Sequence, residues 1–179
     1  MSSSQIPQQT PAYTLNEVAK KKKAGIVVSG WHKEITGSLL ESAKKTLLDA
    51  GLEPDNILVK EVPGAFELPL GAQYLLEYEK VDLIIALGCI VKGETPHFHY
   101  ISEAVTLTLI QLQARANHPV GYGVLTVDTI EQAKERAGGS FGNKGQEAAE
   151  AALFMLSLKE DMKKSGTKSS IGFGAGNRD

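Results

Sequence analysis

The chain has 179 residues and a mass of 19.2 kDa, the usual size of one domain, so a single fold has to carry the function. Hydrophobic residues make up 42% and charged residues 22%, which excludes a fibrous or wholly disordered protein. The formal charge of -2 disfavours a nucleic-acid partner, and no apolar run reaches the roughly 20 residues that a membrane-spanning helix needs.

The two ends of the chain differ in composition from the middle. Residues 1–12 are rich in Ser, Gln and Pro, which predicts a mobile arm without the apolar core of a signal peptide. Residues 165–179 have the composition of a flexible tail, so the folded domain is expected over 13–164. The only cysteine, Cys89, lies among apolar residues and indicates a packed thiol in a reducing compartment. We therefore expect a cytoplasmic protein.

Between these ends, short β-branched runs alternate with longer segments of helical spacing. Strands are predicted at 26–28, 57–62, 83–90 and 120–127. Their continuous apolar character fits strands that are buried on both faces. The pattern predicts an α/β protein in which helices cover both faces of a four-stranded parallel sheet.

Five helices are predicted between and after the strands. The first, at 34–50, should bury Ile35, Leu39, Ala43 and Leu47 and end at Gly51. The second follows Pro63 and should point Phe66, Leu70 and Leu75 or Leu76 inward. The others are expected at 96–116, 130–137 and 144–162. The helix at 96–116 is apolar over much of its circumference, which favours a subunit contact.

Ligands of open α/β sheets bind beyond the carboxyl ends of the strands, so the loops at 29–32, 63–67, 92–97 and 127–129 are the candidate site. Trp31 offers a flat face for a planar ring, although a rim residue packed on a neighbour would give the same pattern. His97 lies in the first turn of the third helix, where backbone amides favour anions and an imidazole can transfer protons.

Three other patterns do not predict a metal or a cofactor. His97 and His99 are two apart on a helix and face different directions, so they do not predict a metal site. The glycine-rich bend at 138–145 departs from the phosphate loop of nucleotide-binding proteins, and the glycines at 172–177 follow no predicted strand. Arg136 and Lys144 flank the bend and can offer two positive charges to an anion.

Four segments in register carry a family resemblance. They are VPGAFELP (62–69), LGCIVKGETPHFHYI (87–101), GVLTVDTIEQAKERAG (123–138) and GNKG (142–145). On these segments the chain resembles the lumazine synthase family of riboflavin-pathway enzymes over residues 25–158. The expected fold is then a three-layer α/β sandwich whose four parallel strands follow the flavodoxin-like order.

The resemblance implies condensation of 5-amino-6-(D-ribitylamino)uracil with 3,4-dihydroxy-2-butanone 4-phosphate, without cofactor or metal. It implies that Trp31 stacks on the heterocycle and that His97 transfers protons. The other implied substrate contacts within one subunit are Ala65, Phe66, Glu67, Cys89, Val91, Gly93, Glu94 and Thr95. The adjacent subunit would contribute Tyr122, Arg136 to the phosphate, and Lys144.

The resemblance also implies a homo-oligomer built of pentamers, with riboflavin synthase as a candidate partner. The short bend at 138–145 resembles that of members that assemble twelve pentamers into an icosahedral shell. His32, Lys92 and His99 depart from the family's common residues, which leaves the pH profile open. The alternative is a non-catalytic relative that binds a flavin or lumazine or serves as a shell protein; the presence of both His97 and Arg136 favours the enzyme.

Overall fold

The structure, a computed structural model, describes residues 21–168, with side chains described through 165. Its central sheet consists of β1 (Ala24–Ser29), β2 (Ile57–Val62), β3 (Leu83–Val91) and β4 (Val120–Val127). All pairings are parallel and the order is β2-β1-β3-β4, which confirms the predicted fold class and strand order. The predicted arm at 1–12 and residues 169–179 of the predicted tail lie outside the described residues.

Helices cover both faces of this sheet. One face packs against α1 (Lys33–Asp49) and α5 (Lys144–Lys168), through a core that includes Leu39, Leu47 and Leu156. The other face packs against α2 (Leu68–Tyr78) and α3 (His97–Ala116), through Leu68, Leu75 and Leu109 among others. The short α4 (Ile130–Glu135) follows β4, and single 3₁₀ turns form at Pro54–Asn56 and Ala65–Glu67.

The first predicted helix face is confirmed. Ile35, Leu39, Ala43 and Leu47 are all buried under the sheet, as the four-residue spacing indicates. The helix stops where Gly51 adopts a φ of 97°, a left-handed conformation that glycine accepts without a side-chain clash.

The inward side of α2 was predicted only in part. Leu75 is buried with Leu68 and Ala72, but Phe66 is 62% exposed and Leu70 is 49% exposed. The segment has two apolar stripes, and the one with Leu68 and Ala72 faces the sheet. The prediction that Phe66 and Leu70 point inward is therefore wrong for this subunit.

Three boundaries after β4 also differ from expectation. The fourth helix ends at Glu135, and the glycine-rich segment is a hairpin of β5 (Ala137–Gly139) and β6 (Gly142–Asn143) instead of a simple bend. This hairpin docks on α1, because Ser38 Oγ donates to the Ala137 carbonyl and Asn143 Nδ2 donates to the Ser38 carbonyl at 3.3 Å. The last helix runs through Lys168, six residues beyond its predicted end and into the first residues of the predicted tail.

Candidate functional site

A cleft of about 430 Å³ opens at the carboxyl end of β1 and β3, where the sheet topology predicts a ligand site. Three of the four candidate loops form its walls, and the end of β3 forms its floor. The predicted site residues that line it are Trp31, Ala65, Phe66, Glu67, Cys89, Val91, Gly93, Thr95 and His97. The volume lies in the range of sites for small organic molecules.

The first wall begins where β1 ends. Gly30 N donates to the Val62 carbonyl at 2.8 Å, which extends the pairing of β1 with β2 to the rim of the sheet. The next residue, Trp31, is 70% exposed although it lines the cleft. An exposed indole at the rim of a cleft is suited to stacking on a planar ring.

The same wall continues in the loop after β2. Gly64 N donates to Glu67 Oε2 at 2.9 Å, so the carboxylate is held by the backbone of its own turn. Ala65 is buried beneath the loop, and the exposed ring of Phe66 adds apolar surface to the cleft. The wall thus combines apolar surface with one oriented hydrogen-bond acceptor.

The floor is formed by the end of β3. Cys89 and Val91 line it, and burial raises the pKa of the Cys89 thiol to about 11. A thiol with this pKa stays protonated at neutral pH and is a poor nucleophile. Cys89 is therefore a packing residue of the floor, in agreement with its prediction.

The second wall is the loop after β3 and the start of α3. Gly93 and Thr95 line the cleft, and His97 is the exposed first residue of the helix. No side chain caps this helix, so its first backbone N–H groups and the positive end of its dipole favour an anion. Glu94 lies in the same turn, exposed, but does not line the cleft.

The fourth candidate loop takes part in local structure instead of the cleft. Thr129 Oγ1 accepts a hydrogen bond from Gln132 N and caps α4. Asp128 pairs with Lys92, with 3.4 Å between the Asp128 Oδ1 and Lys92 Nζ atoms. The prediction that all four loops contribute to one rim is therefore correct for three of them.

Tyr122, Arg136 and Lys144 also lie outside the cleft of this subunit. The Tyr122 hydroxyl is 2.7 Å from Thr106 Oγ1, on the side of the sheet that α3 covers only in part. Arg136 donates from Nη1 to the Gln132 carbonyl at 3.0 Å and lies over the ring of Phe141. Lys144 Nζ donates to both carboxylate oxygens of Glu147.

Within the part of the chain that the structure describes, no lysine or arginine lines the cleft. His32 belongs to the candidate loop at 29–32 and lines the cleft, as expected for that loop. Phe98 and Ile101 were not predicted as site residues, yet both line the cleft. Phe98 and Ile101 could have been found from helical spacing, because they follow His97 by one and four positions. Among residues 21–168 no group of three or more His, Cys, Asp or Glu side chains is arranged to hold a metal ion. No described helix is long and apolar enough to span a membrane.

Comparison with known proteins assigns the chemistry. A family model described as 6,7-dimethyl-8-ribityllumazine synthase matches residues 21–160. The chain is 47% identical over 154 residues to the 6,7-dimethyl-8-ribityllumazine synthase of Phocaeicola vulgatus, covering 85% of this chain and 92% of that protein. It is 52% identical over 134 residues to the protein of the same name from Bacteroides fragilis, covering 75% of this chain and 94% of that one.

Proposed function

The chain belongs to the 6,7-dimethyl-8-ribityllumazine synthase family, and from that premise we propose that the cleft between Trp31 and His97 is its active site. The enzyme condenses 5-amino-6-(D-ribitylamino)uracil with 3,4-dihydroxy-2-butanone 4-phosphate in riboflavin biosynthesis. The products are 6,7-dimethyl-8-ribityllumazine, inorganic phosphate and two molecules of water. The observation that carries the proposal is that one cleft joins an exposed indole to a helix start with an imidazole.

The uracil substrate is placed on the wall of Trp31. Its planar ring stacks on the indole, over the floor of Cys89 and Val91. Its ribityl chain runs toward Ala65, Phe66 and Glu67, where the oriented carboxylate accepts hydrogen bonds from hydroxyl groups. This wall binds a flat ring and a polyol at the same time.

The phosphate of the second substrate is placed at the start of α3. The turn of Gly93, Glu94 and Thr95 presents backbone amides, and the helix dipole favours the dianion. His97 then stands next to the reacting carbons and transfers the protons that imine formation, phosphate elimination and ring closure require. Since both substrates are held together, positioning lowers the barrier by more than the proton transfer does.

A second subunit completes the site in this proposal. No lysine or arginine of residues 21–165 lines the cleft, yet one substrate carries a phosphate dianion. Arg136 of an adjacent subunit binds the phosphate, Lys144 binds the pyrimidine or ribityl group, and Tyr122 closes the ring pocket. Their position outside this subunit's own cleft supports a site shared between two chains.

Uncovered apolar surface supports the same assembly. An exposed stripe at four-residue steps runs from the 3₁₀ turn at Ala65–Glu67 along α2 and consists of Phe66, Leu70, Tyr74 and Tyr78. On α3, Leu107 and Ile110 are also more than half exposed. Contacts between different surfaces of two copies generate a closed ring, and we propose a pentamer.

We further propose that twelve pentamers form an icosahedral shell. The support is the short hairpin at 137–143, which is pinned to α1 and so fixes the direction of α5 relative to α4. Electron microscopy or light scattering tests this assembly. Particles no larger than a decamer across a range of pH and phosphate concentrations would contradict the shell but not the shared site.

We also propose that the protein acts in the cytoplasm and that riboflavin synthase is its partner enzyme.

One assay tests the reaction and the shared site together. Each protein is mixed with both substrates while lumazine fluorescence is followed, and the wild type should exceed the spontaneous condensation. Subunits carrying His97→Asn and subunits carrying Arg136→Ala are then denatured and refolded together in equal amounts. If the two residues act in one site from different chains, about a quarter of the sites regain both groups and activity rises above that of either variant. No rise on mixing would place both residues in the same chain's site.

A further inference from the structure

The cleft contains a second imidazole that the proposed chemistry does not use. His32 follows Trp31 in the chain and lines the same wall. The other ionisable side chains of the lining are Glu67, Cys89 and His97, and each has a place in the proposal as acceptor, floor residue or proton carrier. His32 is the remaining ionisable residue of the lining among those that the structure describes.

The backbone of His32 is fixed in an uncommon conformation. Its φ of 55° and ψ of 52° are left-handed, a conformation uncommon for residues other than glycine, in which histidine, asparagine and aspartate are enriched. The position is the N-cap of α1, and the His32 carbonyl accepts from Ile35 N at 2.8 Å and Thr36 N at 3.0 Å. The imidazole makes no capping hydrogen bond to the helix. The fold thus anchors the main chain of His32, an exposed residue of the cleft lining whose side chain does not cap the helix.

The surroundings of His32 admit a positive charge. The loop after β2 contributes Glu67 to the same cleft, β3 contributes the protonated thiol of Cys89, and α3 contributes His97 on the opposite wall. Beside the wall, Lys33 pairs with Glu61, with 3.0 Å between Nζ and Oε1, so these two charges largely offset each other. Among the described residues, the lining therefore holds one carboxylate and no lysine or arginine.

We propose that His32 is a binding residue for the ribitylaminouracil substrate and that it binds more strongly when its ring is protonated. The affinity for that substrate should therefore fall as the pH rises. The inference rests on the proposed placement of the uracil ring beside Trp31. An imidazolium donates hydrogen bonds from both ring nitrogens, whereas a neutral imidazole donates from one. The substrate offers carbonyl and hydroxyl oxygens as acceptors, and a hydrogen bond from a charged donor is roughly twice as strong as one from a neutral donor.

The test compares the wild type with two variants that accept the left-handed backbone. His32→Asn keeps a neutral donor, and His32→Gly removes the side chain. KM for the uracil substrate is measured from about pH 5.5 to 8, the range in which histidine changes charge. Over this range, the ratio of the wild-type KM to the KM of His32→Asn should rise about fivefold. His32→Gly should show a high KM at every pH, and the ratio of its KM to that of His32→Asn should stay constant. Ionisation of the substrate and of Glu67 or His97 is common to all three proteins and cancels in the ratios.

Two results separate this inference from the proposed site. KM for the butanone phosphate should follow the same pH course in all three proteins, because that substrate lies on the other wall. If His32→Asn retains the full pH dependence of the wild type, the inference is wrong. Trp31→Ala is measured in parallel: if it weakens uracil binding and His32→Gly does not, only the role of His32 fails. If neither weakens it, the uracil does not bind this wall and the site proposal fails too.

Discussion

The amino end of the parallel sheet and the cleft at its carboxyl end use charged and polar side chains in opposite ways. At the amino end, Lys22 Nζ lies 3.0 Å from Asp82 Oδ1 and 3.8 Å from Glu160 Oε1, which joins the entry to β1, the entry to β3 and α5. At the carboxyl end, His32 and His97 line an open cleft and form no ion pair among the described residues. Groups that bind each other stabilise the fold, whereas groups left at an open cleft are available to substrates.

The pKa directions show the same contrast. The hydrogen bond with Asp82 raises the pKa of Lys22, and the hydrogen bond from Lys163 lowers the pKa of Glu160. Both shifts favour the charged forms, so each pair stabilises the folded state at neutral pH. The cleft, in contrast, contains Cys89, where burial disfavours the charged form and keeps the floor neutral.

The largest expected effect comes from opening the contact between α5 and the start of β4. A Cβ on Gly121 would lie 2.1 Å from the Ala148 carbonyl oxygen, so helix and strand would have to separate. Gly121→Ala should lower the free energy of unfolding by about 3 kcal/mol, measured by urea denaturation. Gly37→Ala is the matched control, because a Cβ there meets nothing within 4 Å in the middle of α1 and should stabilise by up to about 1 kcal/mol. Equal unfolding midpoints for the two variants would contradict the close approach.

In the cleft at the carboxyl end of the sheet, His97→Asn should lower turnover and leave the free energy of unfolding unchanged. Loss of the proton carrier should lower kcat by about 10²-fold, while positioning of the substrates preserves the rest of the rate. His99→Asn is the control, since His99 is exposed on the same helix but lies outside the cleft. Equal losses in the two variants would show that the effect comes from the helix and not from the cleft.

Arg136→Ala tests whether the neighbouring chain contributes to the cleft at the carboxyl end of the sheet. KM for the butanone phosphate should rise about tenfold, because a charged hydrogen bond to a dianion is replaced by water. Lys134→Ala removes a cation two residues away, whose Nζ is 3.6 Å from Glu34 Oε2, and should leave this KM unchanged. A change confined to KM for the uracil substrate would contradict the assignment of Arg136 to the phosphate.

The smallest effect is expected from Glu160→Gln, at the amino end of the sheet. Glu160 is 9% exposed and pairs with Lys163, at 2.8 Å, and Lys22. Its lowered pKa means that its stabilisation is present above the unfolded-state pKa and is lost as the pH falls through the lower folded-state value. The variant should unfold about 1 kcal/mol more easily at pH 7, and this difference should shrink as the pH falls below about 4. A difference that is constant from neutral to acidic pH would mean that packing, not charge, is lost.

Much of this molecule follows from the sequence because it depends on local patterns. Short apolar, β-branched runs identified the four strands, and the spacing of Ile35, Leu39 and Leu47 identified the buried face of α1. The prediction that all four strands are buried on both faces is wrong for β2, which lies at the edge of the sheet, contains two charged residues and is only partly buried. Parallel strands bring their carboxyl ends to one edge, so the loops with Trp31 and His97 were expected to face the same cleft. The motifs at 62–69 and 87–101 carried the family, and the comparisons confirmed it.

Only the tertiary structure decided the features that depend on contacts between distant residues. The segment leading into α2 has two apolar stripes of the same period, and only packing against the sheet selected Leu68 and Leu75 over Phe66 and Leu70. The hairpin at 137–143 has too few residues for a strand signal and is held by contacts with Ser38 on α1. Likewise, no sequence spacing joins Lys22 to Glu160. Periodicity identifies possible apolar faces, but the competition among faces for a limited core is resolved only when the elements pack together.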